Sequence, residues 1–257
     1  MKNLSLSVKI YLGIILFLVL LAVTSILRSY LQTLSLIGEP FAFNELLWAH
    51  FFLPFVFTLA NVAIAVGLGL VGIVLIPKIG FVELWDKNVT NRHRFLIPAL
   101  IGTGIGLFLV VFDLIASQFF TIERLYNRQF PASILSALNT GITDELIYRL
   151  FFITLFVWLV SRFIVKNRWP NQVFWTVAAL SAVTHILLTV IPVITAHQII
   201  ERELPVAYII EIILLSGLVS ICAAYYLRKA GFLAAASVHI SANIVWLVVW
   251  ESLIIAT

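Results

Sequence analysis

A single cysteine, Cys222, is all the sequence contains, which excludes an intrachain disulfide and any multi-cysteine metal site. Charge is scarce as well: 16 Lys or Arg and 12 Asp or Glu make up 11% of 257 residues. No low-complexity segment, linker or internal repeat interrupts the chain, and no stretch is long and polar enough for a soluble domain. What fills the sequence is apolar, with 62% hydrophobic residues and a mean hydropathy of +1.11. A soluble chain of that composition could not cover its own surface.

Apolar runs near the roughly 20 residues that cross a bilayer recur throughout. They predict an all-α, polytopic transmembrane helical bundle, a single integral membrane domain over residues 1–257. The spans are Ile10–Leu27, Trp48–Ile76, Phe95–Phe120, one within Ala132–Val165, Trp169–Thr195, Leu204–Leu227 and Phe232–Ala256. Seven is the expected count; a separate helix ahead of the membrane part of the fourth span would make it eight. Lys2 and Lys9 before the first apolar run imitate a secretory signal, but Arg28-Ser29-Tyr30 follows in place of small residues, so a retained helix is expected.

Lys and Arg divide unevenly between the two sides. Lys2, Lys9, Lys78, Lys87, Arg92, Arg94, Arg162, Lys166, Arg168, Arg228 and Lys229 fall on one, and Arg28, Arg124, Arg128 and Arg202 on the other. By the positive-inside rule the N-terminus is expected to be cytoplasmic and the C-terminus to lie on the opposite side. The net charge of +4 then reflects contact with anionic lipid; no basic-aromatic patch outside the short loops suggests nucleic acid.

Several features imitate motifs. Gly67-x-Gly69-x-x-Gly72 spells a dinucleotide-binding pattern inside an apolar helix with no strand before it. Close helix packing is the expected role there and for Gly102-xxx-Gly106. Asn88-Val89-Thr90 spells a glycosylation site in a loop assigned to the cytoplasm, and Trp48, Trp169 and Trp250 fit interface anchors. His50, His93 and His197 fall near span ends, where solvated histidines are expected. Asp113 and Glu211 are intramembrane carboxylates for which a proton-relay role and packing against Arg149 or a water-filled cavity are equal expectations.

The chemistry concentrates in Asp144-Glu145-xxx-Arg149, His185 and His239-xxx-Asn243, all inside spans. A charged group at mid-membrane costs about 2.5–3.5 kcal/mol even on a lenient insertion scale, so such residues are paired or functional. Glu145 and Arg149 are i,i+4 neighbours with the acid first, the favoured order for an ion pair. Asp144 lies about 500° from Arg149 at 100° per residue and points elsewhere. His239 and Asn243 share one helix face. Two chemistries fit this set. A carboxylate and a histidine can polarise water for attack on a carbonyl, while a second histidine and an amide hold the oxyanion. Alternatively, Asp144, His185 and His239 ligate zinc with water in the fourth position. For any one of these residues alone, a polar contact between helices is the plainer role.

The order DExxxR, a lone histidine in the next helix and HxxxN two helices later resembles the CPBP intramembrane proteases, which include type 2 CAAX prenyl endopeptidases and Abi proteins. Leu215-Ser216-Gly217 through Tyr225-Tyr226-Leu227-Arg228-Lys229-Ala230-Gly231-Phe232-Leu233 is similar to that family's lead-in to its final motif. The likeness covers the C-terminal half, with the protease-like core in residues 131–256. It implies an endopeptidase acting on a membrane-associated peptide or protein, by a metalloprotease or a metal-free, glutamate-type mechanism. On this resemblance Asp144 stands for the first Glu of EExxxR, activating water with His185. Glu145 and Arg149 support the site, and His239 with Asn243 holds the oxyanion. Asp144 is one methylene shorter than the usual Glu, Ser181 replaces the phenylalanine of FxxxH, and Leu150 replaces the glycine after Arg. The alternative is a catalytically weak or inactive member serving as an immunity or scaffold protein; a proton-relaying transporter is a third reading, against which the lack of an inverted repeat counts.

Depth sets one constraint. At 1.5 Å per residue, Asp144 and His185 lie about 24–30 Å along their helices from the cytoplasmic side, and His239 only about 12–16 Å from its helix start. If the three meet, the seventh helix begins deep in the bundle or its boundary is elsewhere.

Overall fold

The computed structural model describes residues 5–35, 52–120, 130–166, 168–199, 204–250 and 252–253. Among them seven helices are long and apolar enough to cross a membrane, so the protein is an integral membrane helical bundle. They are α1 (Leu6–Leu27), α2 (Phe55–Ile79), α3 (Arg92–Ala116), α4 (Ala132–Ile164), α5 (Pro170–Ile199), α6 (Val206–Ala230) and α7 (Phe232–Trp250). The fourth is one continuous 33-residue helix, so no separate surface helix splits off within Ala132–Ile164. No strand occurs among the described residues. Trp48, His50, Lys2, Arg124, Arg128 and Arg202 lie outside them.

The centre of the bundle is α7. Of its most apolar window 56% is buried, against 22–33% in the other six helices. Its first half, Phe232–Asn243, is rich in alanine, and small side chains let α3, α4 and α6 pack directly on it. Outward-facing side chains such as Leu16, Val74, Leu100 and Leu188 are large and apolar, the surface a bilayer solvates.

Glycines set the closest approaches. A Cβ on Gly102 would strike the Val238 carbonyl oxygen, and one on Gly106 would meet Val245 Cβ at 2.6 Å, so these two glycines seat α3 on α7. A Cβ on Gly141 would come within 2.7 Å of Ile240 Cγ1, bringing α4 against α7 beside Asp144 and His239. In the glycine-rich motif of α2 only part of the pattern is used. Gly72 abuts the Leu150 carbonyl of α4 and Gly69 the Tyr11 hydroxyl, whereas Gly67 faces open space.

The start of α7 answers the depth question. It follows α6 across the single residue Gly231, whose φ of +89° suits glycine alone. The chain between α2 and α3 lies over this joint: a Cβ on Gly231 would meet the Glu83 carbonyl at 2.6 Å, and Phe232 is fully buried. The seventh helix therefore begins inside the bundle, under a covering loop. That loop is built around Arg94, which donates to the carbonyls of Asp86 at 2.5 Å and Val89 at 2.9 Å and to Asn91 Oδ1 at 2.9 Å. Its guanidinium stacks 3.8 Å from the Trp85 ring. Ser7 of α1 ties down the same loop by donating to Glu83 Oε2 at 2.9 Å.

Gly72→Ala must push α2 off the α4 backbone, and overpacking of this kind costs about 1–3 kcal/mol. Gly67→Ala meets nothing within 4 Å and gains helix propensity. Thermal unfolding in detergent should therefore show a clear fall in Tm for Gly72→Ala and none for Gly67→Ala.

Candidate active site

The fourth helix changes pitch where its charged residues begin. From Glu145 to Ile153 it widens into a π-helical stretch, a local form frequent at functional sites. Glu145 and Arg149 still pair, with Arg149 Nε 3.4 Å from Glu145 Oε2 and both side chains fully buried. The predicted ion pair is present, but it is not self-contained. His239 of α7 donates from Nδ1 to Glu145 Oε1 at 2.9 Å, so Glu145 joins the support to the site itself. Ser181 of α5 donates to the Tyr148 carbonyl at 3.0 Å, fixing the widened stretch to α5 one turn before His185.

Asp144 faces the other way, as helical phase requires. Its Oδ2 lies 3.3 Å from His185 Nε2 and 4.0 Å from His239 Nε2. The two imidazole rings are 5.8 Å apart between centroids, and Tyr148 stacks on His185 at 4.5 Å. His185 Nδ1 lies 3.1 Å from Ser220 Oγ. A neutral His185 with its proton on Nε2 satisfies both contacts, donating to Asp144 and accepting from Ser220.

Asp144, His185, His239 and Asn243 line one cavity of about 220 Å³ between α4, α5, α6 and α7. Its walls are mainly apolar, including Val193, Leu215, Val219 and Trp246, which suits a ligand that arrives from lipid. Asn243 is buried, and its Nδ2 has no hydrogen-bond partner among the described residues. A buried amide donor left unpaired beside a cavity is suited to an incoming oxygen. Asp144 also borders a second cavity of about 390 Å³ between α1, α2 and α4. Thr24, Ser25, Thr58, Asn61, Asn139 and Thr143 make that one polar, with room for several waters at about 30 Å³ each. Asp144 and Thr140 form the wall between the two.

Three residues of the site lie beyond the predicted set. Glu211 and Ser220 come from α6, a helix that carries none of the predicted catalytic residues, and Tyr148 lies within the DExxxR run. An intramembrane carboxylate was the available signal for Glu211, whose cavity setting is one of its two expected surroundings. Asp113 meets neither: it accepts from Trp250 Nε1 at 2.5 Å, which makes Trp250 a partner within the bundle as well as a span-end residue. His197, expected to be solvated, is buried, donates to the Val193 carbonyl at 2.9 Å and rests near the Tyr208 ring. His93 is exposed and bonded to Thr90, as a surface histidine should be.

Zinc held by Asp144, His185 and His239 is a geometric question. Ligand atoms on a tetrahedral zinc with bonds of about 2.0–2.1 Å lie about 3.3 Å apart. The Asp144–His185 pair matches, but His239 Nε2 stands off at 4.0 Å from the same oxygen. Among the described residues no group of three His, Cys, Asp or Glu side chains is arranged to hold a metal ion. As placed, Asp144 and His185 have that spacing and His239 lies outside it.

In comparisons with known proteins, no family model, no curated protein and no solved structure matches this chain. The likeness to CPBP proteases therefore rests on the order of its motifs.

Glu145→Leu would leave Arg149 buried without its carboxylate, and breaking a buried pair costs about 3–5 kcal/mol. The double variant Glu145→Leu/Arg149→Met removes both charges and should recover much of the loss. Melting curves of the two proteins test this; a double variant less stable than the single one would contradict the pairing.

Proposed function

We propose that the protein is an intramembrane endopeptidase of the CPBP type, hydrolysing an amide bond of a membrane-associated peptide or protein. The observation that carries this reading is the convergence of Asp144, His185, His239 and Asn243 on one cavity from three separate helices. Residues serving only as polar contacts between helices have no need to converge on a shared void. The polar cavity behind Asp144 adds a reservoir from which water can reach that carboxylate.

The reaction follows from the contacts. Asp144, held by His185 Nε2 at 3.3 Å, takes a proton from water, and the water oxygen attacks the scissile carbonyl carbon. The carbonyl π electrons move onto oxygen. His239 Nε2–H and Asn243 Nδ2–H donate to that oxyanion. Collapse of the tetrahedral intermediate breaks the C–N bond, and the proton held by Asp144 and His185 passes to the departing amine. One water is consumed, and a carboxylic acid and an amine result.

The oxyanion role fixes the charge state of His239. Its Nδ1 proton is engaged by Glu145, so donation from Nε2 as well requires the imidazolium. Asp144 and Glu145 as anions, with Arg149 and His239 as cations, then give a cluster of zero net charge. A low-dielectric interior favours that balance. Gly141 lets α4 press against α7, which brings Asp144 Oδ2 to 4.0 Å from His239 Nε2.

By the distribution of Lys and Arg, the ends of α2, α4 and α6 and the start of α5 lie on the cytoplasmic side, and the CPBP resemblance favours a prokaryotic plasma membrane.

Purified protein should cleave members of a set of fluorogenic membrane-tethered peptides, with and without a C-terminal prenyl group, and a chelator should leave the rate unchanged. His185→Ala should lower kcat by about 10²–10⁴-fold. Asn243→Leu should lower it by about 10²–10³-fold. Asp144→Asn should abolish turnover, whereas Asp144→Glu should keep or raise it. Full activity in both His185→Ala and His239→Ala would sink the mechanism.

A further inference from the structure

A third cavity, far along α4 from Asp144, carries positive charge with no acid lining it. It measures about 270 Å³ and lies where the ends of α2, α4 and α6 meet the start of α5. Lys78, Arg162 and Arg228 line it, and no Asp or Glu does. None of the three cations forms an ion pair among the described residues. Arg228 is held by neutral partners only: it donates from Nη1 to Asn171 Oδ1 at 2.6 Å, and its guanidinium stacks 4.8 Å from the ring of the buried Phe174. Lys78 Nζ sits 5.9 Å from the Trp158 ring. Trp158 and Ser161 add neutral donors, and Trp158 Nε1 is buried with no hydrogen-bond partner among the described residues.

Three like charges around one cavity repel each other, and the Trp158 Nε1 donor beside them is unused. Both are resolved by one anion. We infer that this pocket binds a phosphate ester anion, with Lys78, Arg162 and Arg228 sharing its charge and Trp158 donating to an oxygen. The volume equals roughly nine waters at about 30 Å³ each, room for a phosphate with its ester carbons. The surroundings favour a phospholipid headgroup as the source. Phe163, Ile164 and Trp169, immediately beside the lining residues in sequence, are 63%, 72% and 64% exposed and offer an apolar path for acyl chains. Basic pockets between membrane helices are a recurrent way to hold acidic headgroups. The site needs no peptidase activity, and its failure would leave the proposed reaction untouched.

The test uses the full chain in nanodiscs of phosphatidylcholine with and without phosphatidylglycerol. Lipid retained by the protein is read by native mass spectrometry. The wild type should retain phosphatidylglycerol over phosphatidylcholine. Each cation near a headgroup should contribute roughly fivefold, so Lys78→Gln/Arg162→Gln should lower that preference by roughly thirtyfold. Both positions are exposed, so the variant should fold, and an unchanged melting curve checks this. Arg228→Gln, which also loses its ring contact, serves as a second variant. In a separate arm, titration of inorganic phosphate into protein in neutral detergent identifies a free anion as the source if it binds tightly and the double variant does not. An equal preference in wild type and double variant, together with no phosphate binding, would overturn the inference.

Discussion

The fully buried pair of Glu145 and Arg149 is the contact on which the centre of the bundle depends. A guanidinium cannot sit in a membrane interior alone, and Glu145 is the carboxylate placed against it. Once there, its second oxygen accepts from His239, and the geometry of α4 is transmitted to α7 through a single carboxylate. Asp144, the preceding residue, then has its direction set by the same helix. Two neighbouring acids thus divide the work: one compensates charge and positions an imidazole, and the other meets the cavity.

That arrangement requires backbones closer than ordinary side chains allow. Gly141 admits α7 to α4, Gly102 and Gly106 admit it to α3, and Gly72 brings α2 onto the far side of α4. The alanine-rich first half of α7 serves the same end. The voids that remain are bordered by Asp144 on both sides, one apolar and one lined by hydroxyls and amides. The position between them is well suited to a group that meets water on one face and substrate on the other.

Much of this was readable from residue order because it depends on helical phase. Seven apolar runs became seven helices, Glu145 and Arg149 pair at i,i+4, and Asp144 turns to a different side, into the cavity. What escaped depends on contacts between helices. The bond from His239 to Glu145 spans 94 residues, and Ser220 reaches His185 from a helix with no motif of its own. Phase within one helix carries no information about either. The depth of His239 stood as an unresolved choice because a one-residue joint at Gly231, covered by a loop, leaves no composition signal. His197 and Trp250 show the opposite error. Both sit near span ends, where solvent or interface is the usual setting, yet both find hydrogen-bond partners within the bundle.

The central claim is that Asp144 and His185 activate water within this cavity. It is tested most directly by peptide cleavage in heavy-oxygen water, with mass spectrometry of the new carboxyl terminus. One heavy oxygen in the product from wild-type protein, and no product from the folded His185→Ala variant, is the expected result. Cleavage that proceeds equally in that variant, or a wild-type protein that cleaves none of the peptides, would contradict it.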